Sequence, residues 1–500
     1  MDNAITAGRD APANLDTAEF RELGHALVDQ IAEFLDALPQ QPVTEALTPQ
    51  AVRDLIGTGG VPPEGSDPAT LLHETADLLC RHSLHNGHPA FLGYITSSAA
   101  PLGMLADLLA ASINANLGKW DLSPVASEVE AQTVRWLAEL IRYSPGCGGL
   151  MVSGGNLANI VAFLAARNAR AGWDVRSEGH SAASPQLTVY CSRETHTWIE
   201  KATAIAGLGT QAIRWIATDA DQRISLDSLR SQLEQDRSAG LQPFMLIGTA
   251  GNVSTGAVDP LASLADCAEQ EGLWFHVDGA YGAPAAMLDD APADLTVLAR
   301  ADSVALDPHK WLYSPIEAAC TLVKDRRHLL DAFAFKPPYY NFAETAGAGE
   351  NYYELGLQNS RGFRALKVWL SLRHAGRQGY QRMLGDDIRL AQRLYANADA
   401  HPLLEARTCH LSICTFRFVP ADLSDHTGEH REYLNELNQA LLLELQNSGD
   451  AFLSNAVVDD CYLLRACVVN FRTTAAVMDR IPELVAAIGA RLDGERRGER

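Results

Sequence analysis

The sequence predicts an α/β protein with a large, mostly parallel sheet, a helical N-terminal arm and a small α+β domain at the C-terminal end. Three observations carry this expectation. Residues 69–145 are patterned for helix. Short apolar runs then alternate with amphipathic segments, the pattern of a sheet buried on both faces by helices. Past about residue 360 a long helical segment leads into widely spaced strand patterns.

Residues 1–15 are small and polar and read as a disordered tail. Asp16 and Glu19 are placed as a capping box for the next helix. There Phe20, Leu23, Leu27, Ile31, Phe34, Leu35 and Leu38 form one apolar stripe at helical spacing. A stripe that wide must be covered, by the body of the protein or by a second subunit. A Pro/Gly-rich connection follows at 58–68, and Asn86-Gly87-His88-Pro89 interrupts the helical region.

Strands are predicted at Leu187–Cys191, Phe244–Gly248, Leu273–Val277, Ser303–Leu306 and Ala318–Val323, with helices at 156–170, 195–206, 225–236 and 260–271. The last has Asp259 as its expected N-cap, Pro260 in its first turn and Gly272 past its end. A polar, aromatic stretch at 335–352 is long enough to be a functional loop. A helix at Arg361–Ala375, strands near Leu411–Phe418 and Leu463–Phe471, and a final helix at 478–492 complete the chain.

The 500 residues carry a net charge of −22, which argues against nucleic acid or an anionic membrane as a partner. Nine scattered cysteines without close pairs read as reduced thiols in a cytoplasmic protein, with neither a disulfide framework nor a metal site. Met1–Asn14 lacks the basic-then-apolar order of a signal peptide. No uncharged apolar run is long enough to span a membrane.

Four features ask for a joint explanation. Val152-Ser153-Gly154-Gly155-Asn156 opens a helix with two glycines, so Gly155 and Asn156 can offer backbone N–H groups to a phosphate. It is neither a Walker loop nor a dinucleotide fingerprint. Trp274-Phe275-His276-Val277-Asp278-Gly279-Ala280-Tyr281 ends a buried strand in a carboxylate. That is where open α/β sheets bind ligands, and Asp278 there could hold a metal, a ribose or a protonated heterocyclic nitrogen. His196, just after the strand at 187–191, could be a base or a flat stacking surface. Asp307-Pro308-His309-Lys310-Trp311 follows another buried strand and sets Lys310 between an imidazole and an indole. Crowding and desolvation there favour a nucleophilic amine.

A phosphate cradle, a strand-end aspartate, a flat imidazole and an activated lysine together are the parts that hold pyridoxal 5′-phosphate (PLP). The lysine bonds the cofactor, and the aspartate keeps its pyridine nitrogen protonated so that the ring draws electrons.

From about residue 16 to 490 the chain resembles the group II PLP-dependent amino-acid decarboxylases, most of all their aromatic L-amino-acid branch. The resemblance rests on His88–Ala111, Ser123–Leu140, Ser153–Arg167, Thr195–Ala202, His276–Gly282, Asp307–Leu312 and Ser360–Trp369. The His-Lys-Trp element combined with His-Val-Asp-x-Ala-Tyr is its most specific part. It implies PLP-dependent fold type I and a homodimer, with an arm at 16–88, a cofactor domain at 89–360 and a small domain at 361–500. It also implies Lys310 as the covalent anchor, Asp278 on the pyridine nitrogen, His196 against the ring and Ala280 leaving space beneath it. Gly155 and Asn156 fall on the phosphate, His309 beside the lysine, Ser97 near the cofactor, and Tyr339 (or its neighbour Tyr340) on the catalytic proton donor.

The implied reaction is α-decarboxylation of an L-amino acid, aromatic by branch. Several departures bear on it. Asp307 stands where the family commonly has asparagine, and an aspartate facing a phosphate would be repelled, so Asp307 is expected to turn toward backbone donors. Arg361-Gly362 replaces a pair of arginines, leaving Arg361 and Arg364 as candidates there. Val253 replaces a frequent threonine, with Asn252 or Ser254 as polar substitutes. Asn86 replaces a tryptophan of the aromatic cleft, and Ser360 a glycine. These changes keep histidine, glutamate, aspartate and diaminobutyrate open as substrates. An aldehyde synthase or carbon–carbon lyase would share the cofactor site, and a non-catalytic PLP-binding interaction protein is the alternative from another class.

Overall fold

The computed structural model describes residues 11–181, 183–335, 349–423 and 428–498. Seven strands form the large sheet: β1 (Gly148–Val152), β2 (Leu187–Ser192), β3 (Ile213–Ile216), β4 (Gln242–Thr249), β5 (Trp274–Asp278), β6 (Ser303–Leu306) and β7 (Ala319–Val323). Their spatial order is β1-β7-β6-β5-β4-β2-β3. The pairs from β3 through β6 are all parallel, whereas β7 runs antiparallel to both β6 and β1. The sheet is therefore mixed but mostly parallel, as predicted. Strands β1 and β3 were not anticipated: the first is a glycine-led pentamer, and the second exposes Trp215 at 39%.

Helices cover both faces. One face packs Val134, Leu137, Leu261 and Leu264 against Leu246, Val277 and Val304. The other packs Val161, Phe163, Trp198 and Ile199 against Val189, Ile247 and Ala305. These near-continuous apolar strands, buried twice, form the largest core, and burial of this kind is the main stabilising term of such a sheet.

The small domain holds a four-stranded antiparallel sheet of β8 (Leu404–His410), β9 (Ile413–Phe418), β10 (Ser454–Val458) and β11 (Cys461–Cys467) in the order β10-β11-β9-β8. Its core includes Ala90, Phe91 and Leu92 from much earlier in the chain, and Leu92 N–H donates to the Phe452 carbonyl at 2.7 Å. The two domains are linked by a long helical segment, Ala365–Ala400, broken at Gly376, whose φ of 64° suits a residue without a Cβ.

One sequence expectation needs correction here. Pro260, not Asp259, flanks the helix Leu261–Glu271. The Asp259 carboxylate instead accepts from the backbone N–H groups of Ile224 (2.8 Å) and Thr249 (2.7 Å), and burial raises its pKa to about 6. Arg361, one of the two candidates at the family's arginine pair, has a structural partner. It is buried in an ion pair with Glu130 and donates to the Met151 carbonyl, tying β1 to the start of the long helix. Arg364 pairs with Glu317 at 2.8 Å.

Asp16 caps the first helix, Thr17–Ala37, as expected, accepting from the N–H groups of Ala18 and Glu19. That helix buries none of its residues within this chain, and Phe20 is 58% exposed. Among the described residues no helix is long and apolar enough to cross a membrane.

Candidate active site

The C-terminal ends of β1, β2, β4, β5 and β6 converge on a cavity of about 290 Å³. Gly155 and Asn156 line it from the turn after β1, and His196 from the segment after β2. Thr249 comes from the end of β4, Asp278 from the end of β5, and Lys310 from the turn after β6. Ala280 and His309 also line it. Sheet register explains part of this convergence, because Asp278 lies opposite Thr249 on one side and Ala305 on the other.

Asp278 is 7% exposed and held from two directions. Its Oδ2 accepts from Trp198 Nε1 at 2.8 Å, and its Oδ1 accepts from the Ala280 N–H at 3.2 Å. Charge-assisted bonds of this kind keep a carboxylate in one orientation. Behind it, His276 sits between Ser303 Oγ (2.8 Å) and Asn159 Oδ1 (2.7 Å), and burial lowers its pKa to about 4. It is a neutral spacer in the wall of the site. His196 is likewise pushed down by burial, against the pull of Asp278, so its ring is neutral at ordinary pH.

Lys310 has surroundings the sequence did not foretell. Its Nζ lies 3.1 Å from Asp307 Oδ2. Trp311 does not crowd it: the buried indole donates to Asp387 at 2.9 Å and stacks on Tyr281 with ring centres 4.9 Å apart. Nor does Asp307 turn toward backbone donors. Its Oδ1 is buried without a hydrogen-bond partner, and its Oδ2 lies so near the β1 turn that a Cβ on Gly155 would approach it to 2.6 Å. The lysine, three residues along the same tight turn, is the cation within reach, which is why the carboxylate faces inward.

His309 is anchored by the Ala318 carbonyl at 2.7 Å from Nδ1, with burial lowering its pKa. Ser97 lies just outside this cavity, where its hydroxyl donates to the His309 carbonyl at 2.9 Å. It lines an adjoining cavity of about 440 Å³, which also contains Asn86 and is walled by Phe34, Leu38, Leu79 and Met104. Val253 lines the first cavity, but Asn252 is committed to its own turn, accepting from the Thr255 N–H at 2.7 Å. Tyr339 and Tyr340 lie outside the described residues.

Residues that sequence reasoning passed over include Trp198, Asn159 and Thr249. Trp198 stood two positions from His196, and only the fold shows that its indole reaches Asp278. Thr249 Oγ1 is buried without a partner, as is Thr195 Oγ1.

The donor set fits PLP. A buried carboxylate, a primary amine, a neutral imidazole and a helix N-terminus opening on glycine meet in one cavity, where Thr249 Oγ1 and Asp307 Oδ1 are orphaned polar atoms. The element least suited to a phosphate is Asp307.

Comparison with known proteins agrees. Residues 55–416 match the pyridoxal-dependent decarboxylase conserved domain. The chain is 34% identical to an aromatic-L-amino-acid decarboxylase of Bacillus atrophaeus, over 95% of this chain and 96% of that one. Oryza sativa TDC, whose crystal structure contains PLP and tryptamine, superposes with a TM-score of 0.89 at 25% identity, covering 97% of this chain and all of the other. Tryptophan decarboxylase of Catharanthus roseus, in complex with L-tryptophan, gives 0.86 at 26% identity, with the same coverage. With strand-end aspartate, lysine and imidazole in one cavity and this similarity along nearly its whole length, the chain belongs to the pyridoxal-dependent decarboxylase family and is a PLP-dependent amino-acid decarboxylase.

Proposed function

We propose that this enzyme decarboxylates an aromatic L-amino acid to its amine, with Lys310 as the covalent anchor and Asp278 as the partner of the pyridine nitrogen. The observation that carries the residue roles is the convergence of Lys310, Asp278, His196 and the Gly155 turn on one cavity. The aromatic reading is supported by the relatives above.

When bound, the cofactor supplies a sink for the electron pair left as the substrate's carboxyl carbon departs. The chain does the rest. Lys310 Nζ would hold the cofactor through a covalent bond that a substrate amine can displace. Asp278, fixed by Trp198 and Ala280, keeps a proton on the heterocyclic nitrogen as negative charge develops. Neutral His196 presents a flat face, and Ala280 leaves room opposite. The N–H groups of Gly155 and Asn156 hold the phosphate. Ser97 fixes the His309 carbonyl and with it the start of the lysine turn. The assignment of the returning proton to Tyr339 rests on the family resemblance.

A panel of L-amino acids, scored for carbon dioxide and product identity, tests the substrate. Tyrosine, dopa, tryptophan or phenylalanine is expected to give the highest kcat/KM, with the amine as product. Preference for histidine, glutamate, aspartate or diaminobutyrate would overturn the aromatic assignment, and an aldehyde product the reaction type.

Asp307 gives a second expectation. A carboxylate beside the phosphate cradle opposes a dianion, so Asp307→Asn is expected to tighten PLP binding by about tenfold. Pyridoxal, which lacks the phosphate, gains less. Titration of both compounds followed by absorbance checks this, and equal effects on the two would remove Asp307 from the phosphate side.

We further propose a homodimer, with segments 16–88, 89–360 and 361–500 as arm, cofactor domain and small domain. Its support is the partly exposed apolar face of the arm, with Phe20 58% and Val28 44% exposed, together with Leu105, Leu108, Leu109 and Ile113, each at least half exposed on the helix Pro101–Ile113. Apolar surface on that scale calls for a protein partner.

A further inference from the structure

The lysine-bearing turn is held from outside the cavity by one buried carboxyl. Asp387, on the long helix Ala365–Ala400, is 2% exposed. Its Oδ2 accepts from both Trp311 Nε1 (2.9 Å) and Tyr313 OH (2.6 Å). Trp311 and Tyr313 bracket the segment immediately after Lys310. Trp311 also stacks on Tyr281, which lies three residues beyond Asp278 and itself lines the cavity. Tyr313 has a φ of 54°, in the left-handed region that a bulky residue occupies only when its surroundings hold it there. Its ring lies parallel to Tyr380 and edge-on to Phe471. One carboxyl therefore fixes both the lysine turn and, through Trp311, the strand end that carries the aspartate.

We propose that Asp387 is a positioning residue for Lys310: a carboxylate on a separate helix that fixes the lysine turn through Trp311 and Tyr313, and does so only when ionised. The inference rests on Lys310 being the covalent anchor.

Two donors converge on one oxygen of Asp387, so the site is built for an acceptor-only group. A protonated carboxyl brings an O–H into a place already filled by N–H and O–H groups, and at least one of the bonds must loosen. The remaining neighbours are Asp386 on the same helix, itself paired with Arg389, and the Tyr380 hydroxyl and Cys467 thiol nearby. Asp387 also lines a cavity of about 420 Å³ with Arg393, Asn470 and Thr473. That cavity shares no lining residue with the Lys310 cavity, so a proton can reach Asp387 without entering the active site.

Burial, the dominant influence, raises the Asp387 pKa from its ordinary value to about 7, against the hydrogen bonds from Tyr313 and Trp311. The sign of the linkage then separates positioning from mere stability. Because the folded-state pKa lies above the unfolded one, this group's contribution to global stability falls as pH rises from about 4 to about 7. Its positioning of Lys310 rises over the upper part of that window. A purely structural role makes activity track stability, whereas positioning makes the two move in opposite directions.

The test uses the PLP-loaded full-length enzyme. The pH dependence of the Lys310-linked absorbance and its circular dichroism is recorded beside that of kcat/KM and of Tm, for wild type, Tyr313→Phe and Asp387→Asn. Removing the Tyr313 hydroxyl withdraws a donor that favours the ionised form, so the acid limb should move to higher pH, by about one unit. Asp387→Asn should lose the limb near pH 7 altogether. Superimposable spectral and kinetic profiles in wild type and Tyr313→Phe would overturn the proposal, even if Asp387→Asn failed to fold. Absence of any Lys310-dependent band in wild type at every pH would instead sink the assignment of Lys310.

Discussion

Lys310→Ala is expected to abolish turnover, lowering kcat/KM by at least about three orders of magnitude, and to remove the absorbance of the lysine-linked cofactor. The side chain has two separate duties in the proposed reaction: it forms the covalent link, and its amine is the leaving and returning group in every cycle. Alanine removes both and has no atom within reach to replace either. The substitution also deprives the buried Asp307 of the cation 3.1 Å away. An uncompensated buried carboxylate is costly, so the variant should be less stable than the wild type. Lys310→Arg is a control that keeps a positive charge in the turn without offering a nucleophilic amine. It should preserve more stability than alanine while remaining inactive. A Lys310→Ala enzyme that retained both the band and turnover would end the assignment.

How much of this was legible beforehand follows from the kind of information each feature carries. Strand-end chemistry was readable because a buried parallel strand is an apolar run with an abrupt polar end. Trp274–Asp278 and Ser303–Leu306 announce themselves in that way, and the topology then brings their ends together. Direction was not readable: β7 is as apolar as its neighbours, and nothing in Ala319–Val323 records that it runs antiparallel. Side-chain aim was the other gap. Asp307, Lys310 and Trp311 were all identified, but the pairing of the first two and the departure of the third toward Asp387 depend on contacts between distant segments. The partner of Arg361 was hidden for the same reason. Glu130 lies on an early helix, Pro124–Leu140, and only the packed structure shows that the pair is buried. Asp387, an acidic residue next to another acid on a polar helix, gave no signal at all.

Asp278→Asn should be the second most damaging change, and the more informative one. It is expected to cost about 10²–10³ in kcat/KM, the usual scale for removing one preorganised electrostatic group, while the Lys310-linked absorbance survives. The geometry accounts for the split. Asparagine fills nearly the same volume, so its Oδ1 can still accept from Trp198 Nε1 or from the Ala280 N–H, and the cavity should hold its shape. What is lost is the negative charge, and whichever way the amide settles, its NH₂ group competes with a protonated heterocyclic nitrogen instead of accepting from it. Cofactor attachment does not need that proton, but stabilising the charge that develops as carbon dioxide leaves does. Trp198→Phe separates charge from orientation. It leaves the carboxylate intact and removes one of its two anchors, so its cost should be nearer tenfold, in line with loss of a single hydrogen bond to a charged group. If Asp278→Asn and Trp198→Phe were equally mild, the electron sink would have to be maintained by something other than Asp278. If Asp278→Asn also lost the cofactor band, Asp278 would be acting in binding rather than in the chemical step.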